Sequence, residues 1–318
     1  MNVTGKRILI TGGSGLVGHH LQNELISRGP ADLVCPRSFD FDLRKQGDVE
    51  ALFQDLKPQL VFSLAARVGG ILDNKSFPAD FYFDNILIGA YMYDACARWN
   101  VEKLINVGAG CGYPLSLTEP LREEEFWDGF PQAESAPYSL AKKMLVIQGV
   151  AYRQQYGLRS ITLIPSNLYG ENDNFNLEQA HVIPALVRKL YEAKANSWSQ
   201  VEVWGDGSAK RDFIHTADFA SALVQAAENY DAALPINIAY GEQHSIRDVV
   251  RLLKEISGYS GEIFWNLNRP SGQNSREMSL DNARRHLPRF LPSIDLKDGL
   301  SRTYHWFEQS YSSGDVRL

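Results

Sequence analysis

A tyrosine and a lysine in the stretch PYSLAKK, Tyr138 and Lys142, have side chains that can move protons. They are four residues apart, a spacing that places both on one face of a helix. A free tyrosine titrates at about pH 10, and a neighbouring ammonium group is expected to lower that pKa by favouring the phenolate. Such a pair can exchange a proton with an oxygen whose carbon gains or loses a hydride.

A cysteine and a histidine elsewhere in the chain could also transfer protons. Cys111 lies in the loop VGAGCGYP, among residues with very small side chains, and His181 lies in AHVIPAL. A thiol acts as a base when positive charge or hydrogen bonding lowers its pKa, and an imidazole can donate a proton near neutral pH. Each also has a structural alternative, since cysteine often packs as a small apolar side chain and histidine often caps a helix.

A glycine-rich loop near the start of the chain indicates a nucleotide site. In TGGSGLVG the glycines Gly12, Gly15 and Gly18 have the spacing G-x-x-G-x-x-G, with Leu16 and Val17 between the last two. Small residues let the backbone approach a pyrophosphate, and the positive end of the following helix favours its charge. An ordinary strand-to-helix turn is the alternative, but the βαβ pattern that follows favours a dinucleotide.

The end of the second predicted strand favours NADP(H) over NAD. An acidic residue at this point would accept the ribose 2′-hydroxyl of NAD, but the chain has Arg37 and Ser38 here and no acid until Asp40. Arg37 could meet a 2′-phosphate, or it could be a solvated loop charge. The other residues expected to line the cofactor, near the adenine or at the end of the third strand, are Asp42, Leu43, Leu64, Ala65 and Ala66.

The elements that must position these residues follow an α/β pattern. Short continuous apolar runs alternate with helix-length segments through the first half of the chain, which predicts a Rossmann-type, doubly wound parallel sheet. A Pro/Asn/Gly-rich stretch from residue 165 then leads into mixed elements. We expect an NADP-binding domain over 1–170 with a return segment at 210–240, and an interleaved, smaller substrate-binding lobe over 171–318.

Composition narrows the class of protein. The chain has 318 residues, 44% of them apolar or aromatic, and a formal net charge of −6. This balance disfavours nucleic acid as a partner, and no apolar run is long enough to predict a membrane span. The three cysteines form no C-x-x-C pair, which disfavours a disulfide scaffold or a zinc site. We therefore expect a cytoplasmic protein with no metal, no nucleic acid partner and no membrane partner.

The glycine loop followed by the Tyr138 and Lys142 pair resembles the extended short-chain dehydrogenase/reductase superfamily. Longer stretches resemble GDP-L-fucose synthase in particular. They are AARVGGI, CGYP, PSNLYGENDNFN, AHVIPALVRK, VEVWGDGSAKRDFIH and SGQ. The resemblance runs from Arg7 to the last predicted helix.

This resemblance implies a homodimeric, NADPH-dependent enzyme that epimerises and reduces GDP-4-keto-6-deoxy-D-mannose. It implies that Cys111 and His181 are the base and the acid at C3 and C5, and that Tyr138, assisted by Lys142, protonates the C4 oxygen. The apolar runs 85–99 and 138–156 are expected to pair across a dimer. The residues expected to contact the GDP-sugar are Asn167, Arg188, Trp204, Arg211 and Arg276.

Ala109 departs from the family pattern, which has a serine whose hydroxyl donates to the reacting oxygen. Losing such a donor costs roughly 100- to 1000-fold in rate. Tyr138 could hold the oxygen alone or with a water, the enzyme could have specialised, or the alanine could be an engineered substitution. The alternatives are an epimerase or a reductase of another 4-keto sugar nucleotide, such as a GDP-6-deoxyheptose, and a non-catalytic NADP-binding protein. A 4,6-dehydratase is disfavoured, because those enzymes commonly have an Asp-Glu pair on this loop.

Overall fold

The computed structural model describes residues 2–269 and 275–318. Its strands are β1 (Arg7–Thr11), β2 (Asp32–Val34), β3 (Leu60–Ser63), β4 (Lys103–Val107), β5 (Ser160–Pro165), β6 (Asn167–Tyr169), β7 (Gln200–Trp204), β8 (Lys210–His215), β9 (Ile236–Ile238), β10 (Gln243–Ser245) and β11 (Glu262–Asn266). Its helices are α1 (Leu16–Ile26), α2 (Gln46–Leu56), α3 (Ile71–Ser76), α4 (Pro78–Arg98), α5 (Ala136–Tyr156), α6 (Val182–Ala195), α7 (Thr216–Asn229), α8 (Ile246–Ser257), α9 (Asp281–His286) and α10 (Leu296–Ser313).

A central sheet of six parallel strands has the order β2-β1-β3-β4-β5-β9. The residues of β3 and β5 are buried along their whole length, as expected for strands covered by helices on both faces. The order reverses between β1 and β3, and ligands of such sheets bind at the carboxyl ends of the strands beside that point. The predicted α/β, Rossmann-type fold is therefore confirmed, and the glycine loop lies at the switch point.

Two apolar layers enclose this sheet. On one face, α1 and α7 contribute Leu21, Leu25 and Leu223 to a cluster with Ile8 and Ile10 of β1. On the other face, α2, α4 and α5 pack against alternate residues of the same strands. Since successive side chains of a strand point to opposite faces, each strand serves both layers.

The rest of the chain forms a smaller body of helices and short strands. The strands β10, β8 and β6 form one sheet, and β11 pairs in parallel with β7. The helices α6, α8 and α10 share an apolar cluster with Val201 and Val203 of β7. At the start of α8, Ser245 and Asp248 form a capping box, which satisfies backbone groups that the first helical turn leaves free.

The predicted return segment, residues 210–240, contributes to both bodies of the structure. The strand β9 pairs with β5 in the central sheet, and α7 packs against α1. The strand β8, at the start of the same segment, pairs instead with β6 and β10. The chain therefore crosses between the two bodies more than once, and the exact division into domains stays a prediction.

No helix within residues 2–269 and 275–318 is both long and apolar enough to cross a membrane.

A fully buried lysine links the central sheet to α7. Lys103 Nζ donates to the carbonyl oxygens of Ala226 (3.2 Å), Ala227 (2.7 Å) and Tyr230. These carbonyls lie at the carboxyl end of α7, where helical hydrogen bonds run out and the helix dipole favours a cation. Burial lowers the pKa of Lys103 to about 8. Lys103 therefore caps α7 from inside the protein.

Replacing Lys103 with methionine should lower the free energy of unfolding by about 2–4 kcal/mol, because the buried carbonyls lose a charged donor. Lys6→Met is the matched control: Lys6 forms an ion pair with Glu102 near the surface, and its loss should cost less than about 1 kcal/mol. Urea unfolding of both variants measures the difference. Equal losses would contradict a capping role for Lys103.

Candidate active site

The loop after β4 forms a tight turn that presents Cys111. Residues Gly110–Gly112 form a single 310 turn, in which the Gly112 N–H donates to the Ala109 carbonyl oxygen at 2.9 Å. A Cβ on Gly110 would lie 2.6 Å from Met278 Cε and 3.2 Å from the Pro165 carbonyl oxygen. Glycine is therefore required there by close packing, and the neighbouring thiol is left half-buried beside the end of the sheet.

The first turns of α5 bring Tyr138 and Lys142 to the same place. Pro137 occupies the first turn of this helix, where a missing N–H costs nothing. Lys142 is buried, and the half-buried Tyr138 ring packs edge-on against Phe81, with ring centroids 6.1 Å apart. A Cys111 thiolate would act on both side chains, and the turn that holds Cys111 packs against α5. The predicted tyrosine, lysine and cysteine therefore form one cluster.

Burial governs the titration of that cluster. It raises the pKa of Tyr138 well above its usual value, and a Cys111 thiolate would raise it further. It lowers the pKa of Lys142 to about 8. The expected lowering of the Tyr138 pKa is therefore not found in the protein alone, where burial is the largest influence on that pKa and raises it. Within this pocket Tyr138 is held as the protonated phenol, the form that donates a proton.

The Cys111 thiol is subject to opposing influences. Burial raises its pKa, while hydrogen bonds from Ser139 and Ser135 and the positive charge of Arg276 lower it. Desolvation is the largest of these, so the net pKa is above that of a free thiol. The positive charge and hydrogen bonds that the sequence argument required are present, but they only partly offset burial.

His181 is the N-cap residue of α6. The preceding loop is anchored where the Gly70 N–H donates to the Gln179 carbonyl oxygen at 2.8 Å. The helix α3 that follows Gly70 also packs against the turn before α5. The His181 imidazole forms no cap bond and is exposed, yet the surrounding protein lowers its pKa. The exposed imidazole is accessible to a ligand.

The glycine loop forms a cradle that side chains would fill. Gly12 has φ +70°, and its Cβ would lie 2.9 Å from the Ala65 nitrogen. A Cβ on Gly18 would lie 2.4 Å from the Gly12 carbonyl oxygen. The helix α1 starts at Leu16 and Val17 with no side-chain cap and no acid in its first turn. The free N–H groups of this turn fit a pyrophosphate.

Among the residues predicted to lie near the adenosine of the cofactor, some are exposed and others already contact other parts of the protein. Arg37 is exposed, and its guanidinium lies 5.8 Å from the Phe39 ring centroid. The Asp42 carboxylate is bound by Arg44 Nε at 2.9 Å, which holds its pKa well below the usual range. The neighbouring predicted residues are half-buried beside the loop or pack on the core; these are Leu43, Leu64, Ala65 and Ala66.

Two predicted arginines lie close together, and one of them, Arg276, lies near Cys111. Burial lowers the pKa of Arg211 and Arg276, and the charge of Arg276 lowers that of Arg211 further. Arg276 Nη2 donates to the Tyr113 carbonyl oxygen at 3.3 Å, and Arg211 Nη1 donates to the Lys210 carbonyl oxygen at 2.6 Å. Two crowded guanidinium groups with spare donors form a site suited to an anion.

Comparison with known proteins identifies the family. The model of the NAD dependent epimerase/dehydratase family matches residues 8–239. "GDP-L-fucose synthase 1" of Arabidopsis thaliana is 36% identical, over 96% of this chain and 94% of that protein.

The chain belongs to the GDP-L-fucose synthase family. A GDP-L-fucose synthetase from Naegleria fowleri bound to NADP superposes with a TM-score of 0.93 at 29% identity, covering 100% of this chain and 97% of that one. A GDP-6-OMe-4-keto-L-xylo-heptose reductase from C. jejuni superposes with a TM-score of 0.89 at 30% identity, covering 98% and 99%. The resemblance inferred from the motifs is confirmed over nearly the whole chain.

Within this GDP-L-fucose synthase fold, two predicted substrate residues are engaged elsewhere. Arg188 donates to Glu192 Oε1 at 2.7 Å and to the Phe175 carbonyl oxygen at 3.0 Å. Asn167 Nδ2 donates to the Asp212 carbonyl oxygen at 3.0 Å. The Arg188 guanidinium therefore stabilises the fold around α6, and its contact with substrate stays a prediction without support from this geometry.

The structure adds residues that the sequence argument missed. Lys189 Nζ and Arg269 Cζ lie 5.8 Å and 5.3 Å from the Trp204 ring centroid. A pair of basic residues on α6 was visible in sequence, but only the helix orientation shows that Lys189 is the one beside Trp204. Ser135 and Ser139 are the other additions. The SGQ motif at 271–273 lies outside the described residues.

Proposed function

We propose that this protein is an NADPH-dependent 3,5-epimerase and 4-reductase of a GDP-4-keto-6-deoxy sugar. The observation that carries the proposal is that the Gly110–Gly112 turn after β4, which holds Cys111, packs against α5, which holds Tyr138 and Lys142. The NADP-bound relative and the glycine cradle support the cofactor. We also propose the cytoplasm as the location of this chemistry.

The epimerisation steps follow from the acidity of carbons beside a ketone. The Cys111 thiolate removes a proton from C3 or C5, and the electron pair of that C–H bond moves onto the C4 oxygen as an enolate. His181 returns a proton to the opposite face of the carbon, which inverts it and restores the ketone. The two side chains must face opposite sides of the ring, so both are required for inversion.

In the reduction, Tyr138 donates its phenolic proton to the C4 oxygen as the alkoxide forms. NADPH, when bound against the α1 cradle, supplies the hydride for C4. The Lys142 ammonium stabilises the phenolate that is left until it regains a proton from solvent. The high pKa of Tyr138 keeps the proton on the oxygen before the reaction.

The substrate's nucleotide end has basic and aromatic partners. Arg211 and Arg276 suit the diphosphate, since a guanidinium fork matches phosphate oxygens. Trp204, flanked by Lys189 and Arg269, offers a ring face for the guanosine. The assignment of these five side chains to substrate binding is part of the proposal.

Purified protein given GDP-4-keto-6-deoxymannose and NADPH in deuterated water tests the proposal. We expect deuterium at C3 and C5 of the recovered sugar and oxidation of NADPH. The absence of both deuterium incorporation and NADPH oxidation would reject the proposal. Cofactor binding without turnover of any 4-keto sugar nucleotide would favour a non-catalytic NADP-binding protein instead.

A second candidate function is action on a related 4-keto heptose nucleotide. The likeness to the C. jejuni heptose reductase and the alanine at position 109 both favour it. A screen of 4-keto sugar nucleotides by NADPH consumption distinguishes the two substrates. Deuterium incorporation without oxidation, or the reverse, would identify an epimerase or a reductase alone.

Ala109→Ser should raise the reduction rate by roughly 10- to 100-fold, because a hydroxyl there adds a donor to the developing charge on the C4 oxygen. The gain is smaller than the full value of such a donor, since Tyr138 already binds that oxygen. Ala109→Gly, which enlarges the space without adding a donor, is the control. A loss of rate in Ala109→Ser would mean that the native mechanism uses the space beside Ala109.

Arg37→Ala should raise the KM for NADPH by about tenfold and leave the KM for NADH unchanged, because only NADPH carries a 2′-phosphate for the guanidinium to bind. Arg251→Ala, an exposed arginine on α8, is the control. Steady-state kinetics with both cofactors measure the ratio. An equal change for both would assign Arg37 to loop structure.

We also propose a homodimer formed through α4 and α5, which pack on each other. The outer surfaces of these helices carry large exposed apolar side chains: Tyr82, Phe83, Met144, Ile147 and Val150. Contiguous apolar surface of this kind is typical of an interface between copies. Sedimentation at micromolar concentration should give a dimer for the native protein and a monomer for Ile147→Glu.

A further inference from the structure

We infer that Lys143 is a positioning residue whose ammonium group holds the turn that carries Cys111 against α5 and so fixes the direction of the Cys111 sulfur. Lys143 follows Lys142 directly in sequence, but the proposed mechanism gives it no role. The inference rests on the proposed function, in which that sulfur is the base of the epimerisation, and it names the group that keeps the base in place.

The buried ammonium group of Lys143 lies among two carbonyl oxygens and two aromatic rings. Its Nζ donates to the Gly112 carbonyl oxygen at 3.4 Å and to the Gly129 carbonyl oxygen at 3.5 Å. The same Nζ lies 4.9 Å from the ring centroid of Phe126 and 4.9 Å from that of Trp127. Such contacts are stronger in a buried place than at a surface, because water competes less for the cation.

The two carbonyl groups belong to opposite ends of a long loop. The chain leaves the 310 turn at Gly112 and comes back to the same place at Gly129, shortly before α5 begins. Beside these ends the Leu115 N–H donates to the Phe130 carbonyl oxygen at 3.1 Å. Bringing the ends of a loop together costs conformational entropy. Lys143 offsets part of that cost because it binds both ends at once.

The Phe126 ring connects Lys143 to the turn by a second route. A Cβ on Gly112 would lie 2.9 Å from Phe126 Cζ, so the glycine lets the backbone lie directly against this ring. The next residue, Tyr113, packs edge-on against the same ring, with centroids 4.9 Å apart. The ring that supports the turn is therefore also a ring that binds the Lys143 ammonium. Loss of that ammonium should loosen both the Gly112 carbonyl and the ring beneath the turn.

The two adjacent lysines of α5 have different surroundings. Successive residues of a helix are rotated by about 100°, so Lys142 and Lys143 point in different directions. A Cys111 thiolate would act on the charge of Lys142, whereas Asp128 acts on the charge of Lys143 and opposes the lowering of its pKa by burial. Lys143 therefore influences the sulfur through the backbone of the turn, and not as a proton donor.

Hydrogen–deuterium exchange of the backbone tests the inference in the free enzyme, with mass spectrometry of a peptide that covers 109–115. Its amides include the Gly112 N–H, which donates to the Ala109 carbonyl oxygen at 2.9 Å. Lys143→Met removes the charge and keeps an unbranched side chain. It should speed exchange in this peptide by about tenfold, because local opening of the turn no longer breaks the contacts of a cation. Lys143→Arg keeps the charge and should stay within about threefold of the native rate.

Lys254→Met is the matched control, because Lys254 of α8 makes contacts of the same kind in the smaller body. Its Nζ donates to the Gly261 carbonyl oxygen at 2.7 Å and lies 5.9 Å from the Tyr259 ring centroid. This variant should leave exchange in the peptide 109–115 at the native rate.

Trp127→Leu tests the same contacts without changing the lysine. Trp127 is partly exposed, and losing one of the two rings should speed exchange in the peptide 109–115 by about threefold. If Lys143→Met does not fold, Trp127→Leu decides the question alone. Native exchange in every variant that folds would overturn the inference.

Deuterium incorporation into the keto sugar tests whether the held turn positions the sulfur. Lys143→Met should slow incorporation at the carbon that Cys111 deprotonates by about tenfold, since a displaced base reacts more slowly. The Kd for NADPH should stay native, and Lys143→Arg should restore the rate. A turn that opens faster in Lys143→Met while incorporation stays native would overturn the positioning role.

The two readouts also separate this inference from the proposed function. If the native enzyme incorporates no deuterium into the sugar but peptide exchange still responds to Lys143→Met, the proposed function fails and the contact between Lys143 and the turn stands. If the native enzyme incorporates deuterium and neither readout changes in Lys143→Met, the inference alone fails.

Discussion

Tyr138→Phe is expected to slow reduction of the 4-keto sugar by about 1000-fold, within the range that a positioned proton donor contributes. The phenylalanine keeps the ring that packs on Phe81 and removes only the hydroxyl. With Ala109 in place of a hydroxyl donor, Tyr138 is the principal donor to the C4 oxygen in our proposal. NADPH oxidation measures the reduction rate, and cofactor fluorescence measures NADPH binding, which should stay native.

Tyr152→Phe is the control for Tyr138→Phe. Tyr152 lies on the same helix, and its hydroxyl donates to Asp94 Oδ1 at 3.3 Å, away from the candidate site. It should reduce the sugar at the native rate. A Tyr138→Phe enzyme that retained more than about a tenth of the native rate would assign the proton transfer to another group.

Cys111→Ser is expected to lower deuterium incorporation at C3 and C5 by about 1000-fold, because a serine hydroxyl is far less acidic than a thiol and does not form a useful anion at neutral pH. Serine preserves the shape of the side chain and the 310 turn. NADPH binding should be unaffected. Nuclear magnetic resonance of the recovered sugar measures exchange at each carbon separately.

Cys96→Ala controls for the loss of a thiol, since Cys96, a residue of α4, is buried in an apolar layer of the central sheet. Its effect should be limited to stability. If Cys111→Ser lost exchange at only one of the two carbons, His181 would be the base at the other. Native exchange at both carbons would remove Cys111 from the mechanism.

Much of the candidate site was predictable from short-range sequence features. The glycine loop, the Tyr138 and Lys142 spacing and the alternating apolar runs are local patterns, and local patterns act through backbone geometry that is the same in any protein. The longer motifs correctly indicated the GDP-L-fucose synthase family. They also showed that Ala109 departs from the family pattern. The absence of a hydroxyl there follows from the residue type alone.

Other features depended on which side of an element faces the cleft. Arg188 and Lys189 are adjacent in sequence, but α6 turns Arg188 toward Glu192 and Lys189 toward Trp204. Ser135 and Ser139 are ordinary helix residues until the turn at Cys111 lies against them. A helical residue is rotated by about 100° from its neighbour, so neighbouring residues of a helix contact different parts of the protein.

The sequence was enough to establish the Rossmann-type fold and the family, and to propose the reactive side chains, because each follows from residue type and near-neighbour spacing. The direction of their pKa shifts was decided by tertiary structure. Burial keeps Tyr138 protonated and opposes ionisation of Cys111. That burial results from the packing of segments that are far apart in the chain. Desolvation and the approach of Arg276, Ser135 and Ser139 to one sulfur exist only once the chain has folded around it.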